Sequence, residues 1–184
     1  MSHCITFPCA AALAVLLALP AMAQQSDPYG TLNPDEQSME RMIQNAREGR
    51  LDMMTCASGY AMTKKGEHGI ARETFTACAD AGWTAAMTWM SQLDNNGLAG
   101  PYDPDAAAGW SRRAAEAGDP IGKFNYGLDL IRGYGVARDE DAGRALIDQA
   151  AAEGVDSAIR LRNAGYDPDE VTPDADNWRY GPMF

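Results

Sequence analysis

Cys78-Ala79-Asp80-Ala81-Gly82, Ala114-Ala115-Glu116-Ala117-Gly118 and Ala150-Ala151-Ala152-Glu153-Gly154 are three versions of one short phrase, and their closing glycines stand thirty-six residues apart both times. The same interval links Ala86, Gly122 and Ala158, four residues after each glycine, and it pairs Gly97 with Gly133, Asp103 with Asp139, and Trp110 with Leu146. A fixed period of this length is the mark of a repeat architecture in which each unit buries its apolar face against its neighbours. A trimmed copy, Ala46-Arg47-Glu48-Gly49, lies thirty-three residues before Gly82. The chain therefore holds about three units behind a leading helix.

Each unit reads as two helices. In the third, Asp119-Pro120 supplies an N-cap and a proline at the first helical position, where no N–H is needed. This helix A runs to about Arg132, and Gly133 and Gly135 let the chain turn back. Helix B starts at Asp139 and stops at Gly154. Asp103-Pro104 opens helix B of the second unit in the same way, and Asn33-Pro34-Asp35-Glu36 offers a cap, an N1 proline and a capping-box acid for the leading helix, which reaches Gly49. Small residues at the repeated positions permit close helix approach, while Tyr126, Leu130, Trp110 and Leu146 fill the space between helices. No run of β-branched residues has strand length. The expected fold is all-α: an α-α superhelix, or short solenoid, with an N-terminal capping helix and a C-terminal tail. Its divisions are a leader over 1–23, a capping segment over 24–49, and repeats over 50–164. The repeat units are about 50–82, 83–118 and 119–154 with a final helix to 164, and an acidic, proline-containing tail covers 165–184.

Ahead of the repeats, Ala10 to Leu19 form an unbroken apolar run followed by Pro20 and Ala21-Met22-Ala23. A hydrophobic stretch before a small-x-small sequence reads as a signal peptide cleaved before Gln24, and the run is shorter than the roughly 20 residues a spanning helix needs. The location implied is periplasmic or secreted, with no membrane insertion after cleavage. The formal net charge of −11 repels phosphate backbones and anionic lipid, which disfavours nucleic acid and membrane surfaces as partners. Cys4 and Cys9 leave with the leader. Cys56 and Cys78 remain, and an even pair in an oxidising compartment is most economically one disulfide.

Groups for catalysis are scarce. His68 is the one histidine past the leader and sits in the loop Gly66-Glu67-His68-Gly69, reading as a turn residue beside a helix start. The sequence contains no Ser-x-x-Lys, Gly-x-Ser-x-Gly, His-Glu-x-x-His or phosphate loop. Asp103/Asp105, Asp139/Asp141 and Asp167/Asp169 could suggest calcium, but each pair stands at a helix start without the full calcium-loop pattern, where acids favour the helix dipole. Met39/Met42 and Met87/Met90 have the spacing of core filler more than of a copper site. No metal and no cofactor is expected.

The third unit, Tyr126-Gly127-x-x-Leu130-x-x-Gly133-x-Gly135-Val136-x-x-Asp139 continuing to Ala150-Ala151-x-x-Gly154-x-x-x-Ala158, resembles the Sel-like repeat, a relative of the tetratricopeptide repeat. The second unit matches in Asp103, Trp110, Ala114-Ala115 and Gly118 but less well in its turn, Gly97-Leu98-Ala99-Gly100-Pro101. The first unit keeps Gly59, Gly66, Ala79 and Gly82 without the full turn, so the likeness covers roughly residues 46–165. Exported bacterial members of that family with a cysteine in each helix of a pair form disulfides within the repeat. The resemblance thus implies a Cys56–Cys78 bond stapling the most degenerate unit, although Cys78 is one position off the usual place. It also implies a protein- or peptide-binding scaffold or adaptor of the cell envelope, non-catalytic, with A helices lining the inner face. Trp89, Gln92, Lys123, Asn125, Asp129 and Arg132 are the expected groove residues, with Trp89 and Asn125 at equivalent positions; Trp89 could equally serve inter-repeat packing. Two other readings are an enzyme acting on the cell wall or a β-lactam, as reported for some cysteine-rich relatives, and an accessory subunit of an envelope complex. Trp178-Arg179-Tyr180 in the tail is either an anchor for a partner or, the reading favoured slightly, a cap on the last helix.

Overall fold

The repeated phrase is a helix stop. In the computed structural model, which describes residues 38–171, the N–H groups of Trp83, Asp119 and Val155 donate to the carbonyls of Cys78, Ala114 and Ala150 at 3.0, 3.1 and 3.0 Å. This is the bond that closes a helix over a left-handed residue. Gly82, Gly118 and Gly154 supply that residue with φ of 94°, 89° and 91°, which side-chain-bearing residues rarely adopt. The stop recurs because each unit must turn from its second helix into the next unit's first.

Eight helices follow one another among the described residues: α1 (Met39–Arg47), α2 (Met53–Lys64), α3 (His68–Asp80), α4 (Thr84–Asn95), α5 (Pro104–Glu116), α6 (Pro120–Arg132), α7 (Glu140–Ala152) and α8 (Asp156–Asn163). A 3-10 turn, η1 (Pro168–Val171), comes last, and no strand occurs among these residues. The starts are where the acidic caps predict them. Asp103, Asp119 and Asp139 accept the backbone N–H three residues on, at 2.9, 2.8 and 3.0 Å, and Pro104 and Pro120 begin their helices. In the leading helix Ser38 is an N-cap, extended at φ −68° and ψ 150°, with its hydroxyl accepting from Arg41 N. The expected cap at Asn33-Pro34-Asp35-Glu36 lies outside the described residues. The leader, Gln24 and Trp178-Arg179-Tyr180 lie outside them as well. His68 is the first residue of α3 rather than a loop residue.

Consecutive helices pack on one another and separate into two rows. The A row holds α2, α4, α6 and α8, and the B row holds α1, α3, α5 and α7. Within the A row α2 meets α4 and α4 meets α6; in the B row α1 meets α3, whereas α3, α5 and α7 do not approach one another as closely among the described residues. From α3 onward the A-row helices therefore stand closer together than the B-row helices. Two apolar clusters fill the layer. One gathers Ile43, Met62, Phe75, Met90 and Leu93, and the other Ile131, Ile147, Ala158 and Leu161. Met42, Met87 and Met90 are buried, as filler should be. Of the residues expected to fill gaps, Leu130 is buried while Trp110, Tyr126 and Leu146 are half-buried. α5 and α6 approach closely at Gly122, where a Cβ would stand 2.6 Å from Ala114 of α5.

Candidate functional site

The expected groove residues all lie on A-row helices, but they do different work. Trp89 of α4 stacks on Phe75 with ring centroids 5.8 Å apart and planes 7° from parallel, and it meets Tyr60 at 5.1 Å. It therefore joins α2, α3 and α4. Gln92 is exposed and Asn125 half-buried. Lys123 pairs with Glu153 at the end of α7 at 2.5 Å and keeps only 15% of its side chain exposed, so its charge is committed within its own unit. Arg132 donates to the Pro168 carbonyl at 3.1 Å. Asp129 faces α5, accepting a hydrogen bond from the Ser111 hydroxyl, and burial pushes its carboxyl up to about 7 against the opposing effects of Ser111 and Arg132. Beyond it, the Tyr134 hydroxyl is pushed up to about 12, chiefly by its 2.8 Å hydrogen bond with Tyr102.

A different feature stands out on the A row. Between α2 and α4 lies a cleft of about 240 Å³, walled by Met53, Ala57 and Tyr60 on one side and Trp83, Ala86 and Trp89 on the other, with Phe75 of α3 at its base. Gly59 makes this base possible, since a Cβ there would lie 2.6 Å from the Phe75 ring. Met53, Tyr60 and Trp83 are 67%, 46% and 36% exposed, a concentration of large apolar side chains that a solvated surface does not need. Lys64 Nζ sits 5.3 Å from the centroid of the Tyr60 ring and brings a cation to one rim. Cys56 also lines the cleft, and its bond to Cys78 (S–S 2.04 Å, Cα–Cα 5.8 Å) ties that wall to α3. Such a lining can accept an apolar side chain; it offers no nucleophile–base pair. Among the described residues no group of three or more His, Cys, Asp or Glu could hold a metal ion, and no helix is long and apolar enough to cross a membrane.

Sequence reasoning singled out Trp89 in this cleft but missed Met53, Tyr60 and Trp83. One signal was present. Trp83 occupies the register position of the capping Asp119, yet it makes no side-chain cap, so a large aromatic stands where a small polar residue would serve the helix. Missed too was a polar seam beneath the A row. Asp94, nearly fully buried, pairs with Arg72 Nη1 at 2.7 Å and accepts from Trp110 Nε1 at 3.1 Å, while Ser91 and Ser111 hydroxyls lie 3.2 Å apart. Asp94 stands thirty-six residues before Leu130, so a carboxylate in an apolar register was its trace.

Compared by sequence, the chain matches no protein-family profile and no curated protein. Solved structures do match. A Sel1 repeat protein from Oxalobacter formigenes superposes with a TM-score of 0.55 and 22% identity, over 69% of this chain and 98% of that one. The Helicobacter pylori cysteine rich protein B superposes with a TM-score of 0.54 and 16% identity, over 67% of this chain and 91% of that one. The repeated helix stops, the two rows of helices and these two neighbours lead to one conclusion: the chain has the fold of the Sel1 repeat proteins.

Proposed function

We propose that this chain is an exported, periplasmic scaffold of the cell envelope whose A row binds a protein or peptide segment, with an apolar side chain of that segment seated in the α2–α4 cleft. The observation that carries the reading is the cleft itself: a preformed apolar hollow, rimmed by exposed Met53, Tyr60 and Trp83, on the A row of a helical repeat. Aromatic side chains around a desolvated pocket are where binding energy concentrates. Export is supported by the leader and by a disulfide, which persists in oxidising compartments. The groove residues Gln92 and Asn125 would add hydrogen bonds along the segment.

The test is site-directed photocrosslinking in intact cells. A crosslinking residue at Met53, on the cleft rim, should give a discrete adduct, and one at Arg112 on the B row should not. In the same cells Tyr60→Ala with Trp83→Ala should reduce that adduct about tenfold, equivalent to roughly 1.4 kcal/mol of binding. Adducts from Arg112 alone would place the working surface on the B row, as an accessory subunit requires, and would refute the reading.

A further inference from the structure

Packing does not explain Gly109. It lies inside α5, where glycine has more backbone freedom to lose than any other residue, and nothing stands within 4 Å of the position its Cβ would take. The repeat does not ask for it either, since Glu73 and Ala145 hold the equivalent positions. What the missing side chain leaves is room. A hollow of about 150 Å³ opens over Gly109, with Asp105 and Arg112 of α5, Tyr126 of α6 and Val136 of the α6–α7 connection around it. Gly135 sets that connection against α5. It is left-handed at φ 64°, and a Cβ there would overlap the Pro104 carbonyl oxygen. The far wall is thus fixed by backbone.

The polar groups of this lining are at liberty. The Asp105 carboxylate and the Tyr126 hydroxyl have no partner among the described residues. Arg112 has a long ion pair with Glu116, 3.7 Å, with both side chains more than half exposed, and such a pair holds weakly. Asp105, Gly109 and Arg112 follow at i, i+4 and i+7, so acid, gap and cation share one stripe of the helix. The corresponding stripes read Gly69, Glu73 and Thr76 on α3, and Asp141, Ala145 and Asp148 on α7. Neither offers an acid, a gap and a cation, so the arrangement belongs to this unit and not to the repeat.

We propose that this hollow binds a small α-amino acid as its zwitterion, the ammonium on Asp105, the carboxylate on Arg112 and the Tyr126 hydroxyl, and the side chain against Ala108 and Val136. The site is separate from the α2–α4 cleft and does not rest on the reading given to it. Dimensions agree. Seven residues rise about 10 Å along a helix, and helical side chains lean toward the N-terminus, which carries Arg112 over the turn of Gly109. An α-amino acid held at each end by an ion pair of about 2.8 Å spans roughly 9 Å from carboxylate to guanidinium. Charges several methylenes apart would overshoot that gap. A volume of 150 Å³ is about that of five waters, enough for an amino acid with a small side chain and too little for a large one.

Titration of L-alanine into the mature chain, followed by nitrogen–proton correlation NMR at the backbone amides of Gly109, Gly135 and Val136, tests this. The three amides should move together and saturate with a Kd of about 1 mM or tighter. Acetate and ethylamine, which carry one charge each, should bind at least about tenfold more weakly. Gly109→Ala fills the hollow and Asp105→Asn removes the acid, and each should weaken L-alanine at least about tenfold. Alanine suits a helix interior with open space, so lost binding in Gly109→Ala is not lost folding. Acetate saturating as tightly as L-alanine would overturn the proposal in favour of an anion site on Arg112. Unchanged affinity in either variant, or no saturable shift with L-alanine up to about 10 mM, would overturn it outright. None of these results touches the adduct expected from Met53 in cells, so the site and the cleft fail separately.

Discussion

Replacing Gly122 by alanine sets two effects against each other, and the structure decides between them. Alanine in the interior of a helix is worth about 0.5–1 kcal/mol over glycine, because less backbone freedom is lost on folding. The repeat pattern also favours it, since Ala86 and Ala158 hold the equivalent positions. Yet a Cβ on Gly122 would stand 2.6 Å from the Cβ and carbonyl carbon of Ala114 and from the nitrogen of Ala115. Comfortable carbon contacts are about 3.5–4.0 Å, so α5 and α6 would have to part by roughly 1 Å, and two of the three atoms are backbone that no rotamer change can move. Overpacking of this kind costs about 1–3 kcal/mol, which outweighs the propensity gain and leaves a net loss of roughly 1–2 kcal/mol. Gly109 is the matched control: it lies inside α5, and nothing lies within 4 Å of its Cβ position. Urea denaturation followed by circular dichroism should show a lower midpoint for Gly122→Ala and a higher one, by about 0.5–1 kcal/mol, for Gly109→Ala. If both substitutions stabilised equally, the close approach of α5 and α6 would be wrong.

Two further outcomes concern charge and the disulfide. Burial raises the Asp129 carboxyl from 3.8 to about 7, so the folded chain holds a proton the unfolded chain has released. The resulting stability is fully present below pH about 4 and is lost as pH rises through about 7. Asp129→Asn should flatten the dependence of the denaturation midpoint between pH about 4 and 7 and should be the more stable chain at pH 8; a slope unchanged by the substitution would assign it to another group. Reducing Cys56–Cys78, 22 positions apart in sequence, should cost about 3 kcal/mol in the same denaturation experiment with most helicity retained, because the second apolar cluster contains no cysteine. Complete loss of helical signal on reduction would show that the two clusters do not hold independently.

Much of the fold was legible because helix ends are written in few residues. Asp-Pro at 103–104 and 119–120, and the glycines at 82, 118 and 154, act within four residues of themselves, so reading them needs no knowledge of packing. Ser38 caps α1 by the same local rule, while the cap expected at Asn33-Pro34 lies outside the described residues. The cleft was illegible because it belongs to no single unit. Tyr60 comes from one helix pair and Trp83 from the next, and their meeting depends on how far apart the units stand. Of the six groove residues, Lys123 has its charge satisfied by Glu153 and Arg132 holds η1, partners that a surface pattern does not announce. Asp94 and Arg72 were hidden by the opposite bias, since a buried ion pair contradicts the apolar register that reveals a repeat.

The position of the disulfide has a mechanical meaning. Cys56 fastens the Met53–Tyr60 wall to α3, and Phe75 of that same helix forms the base, so wall and base move as one piece. The opposite wall, Trp83 and Trp89, belongs to α4, joined to α3 through Ala81 and the left-handed Gly82. Trp89 spans the gap between the two pieces, stacked on Phe75 and against Tyr60, so the width of the hollow is set by that aromatic contact while the crosslink keeps the Met53–Tyr60 wall from sliding along α3.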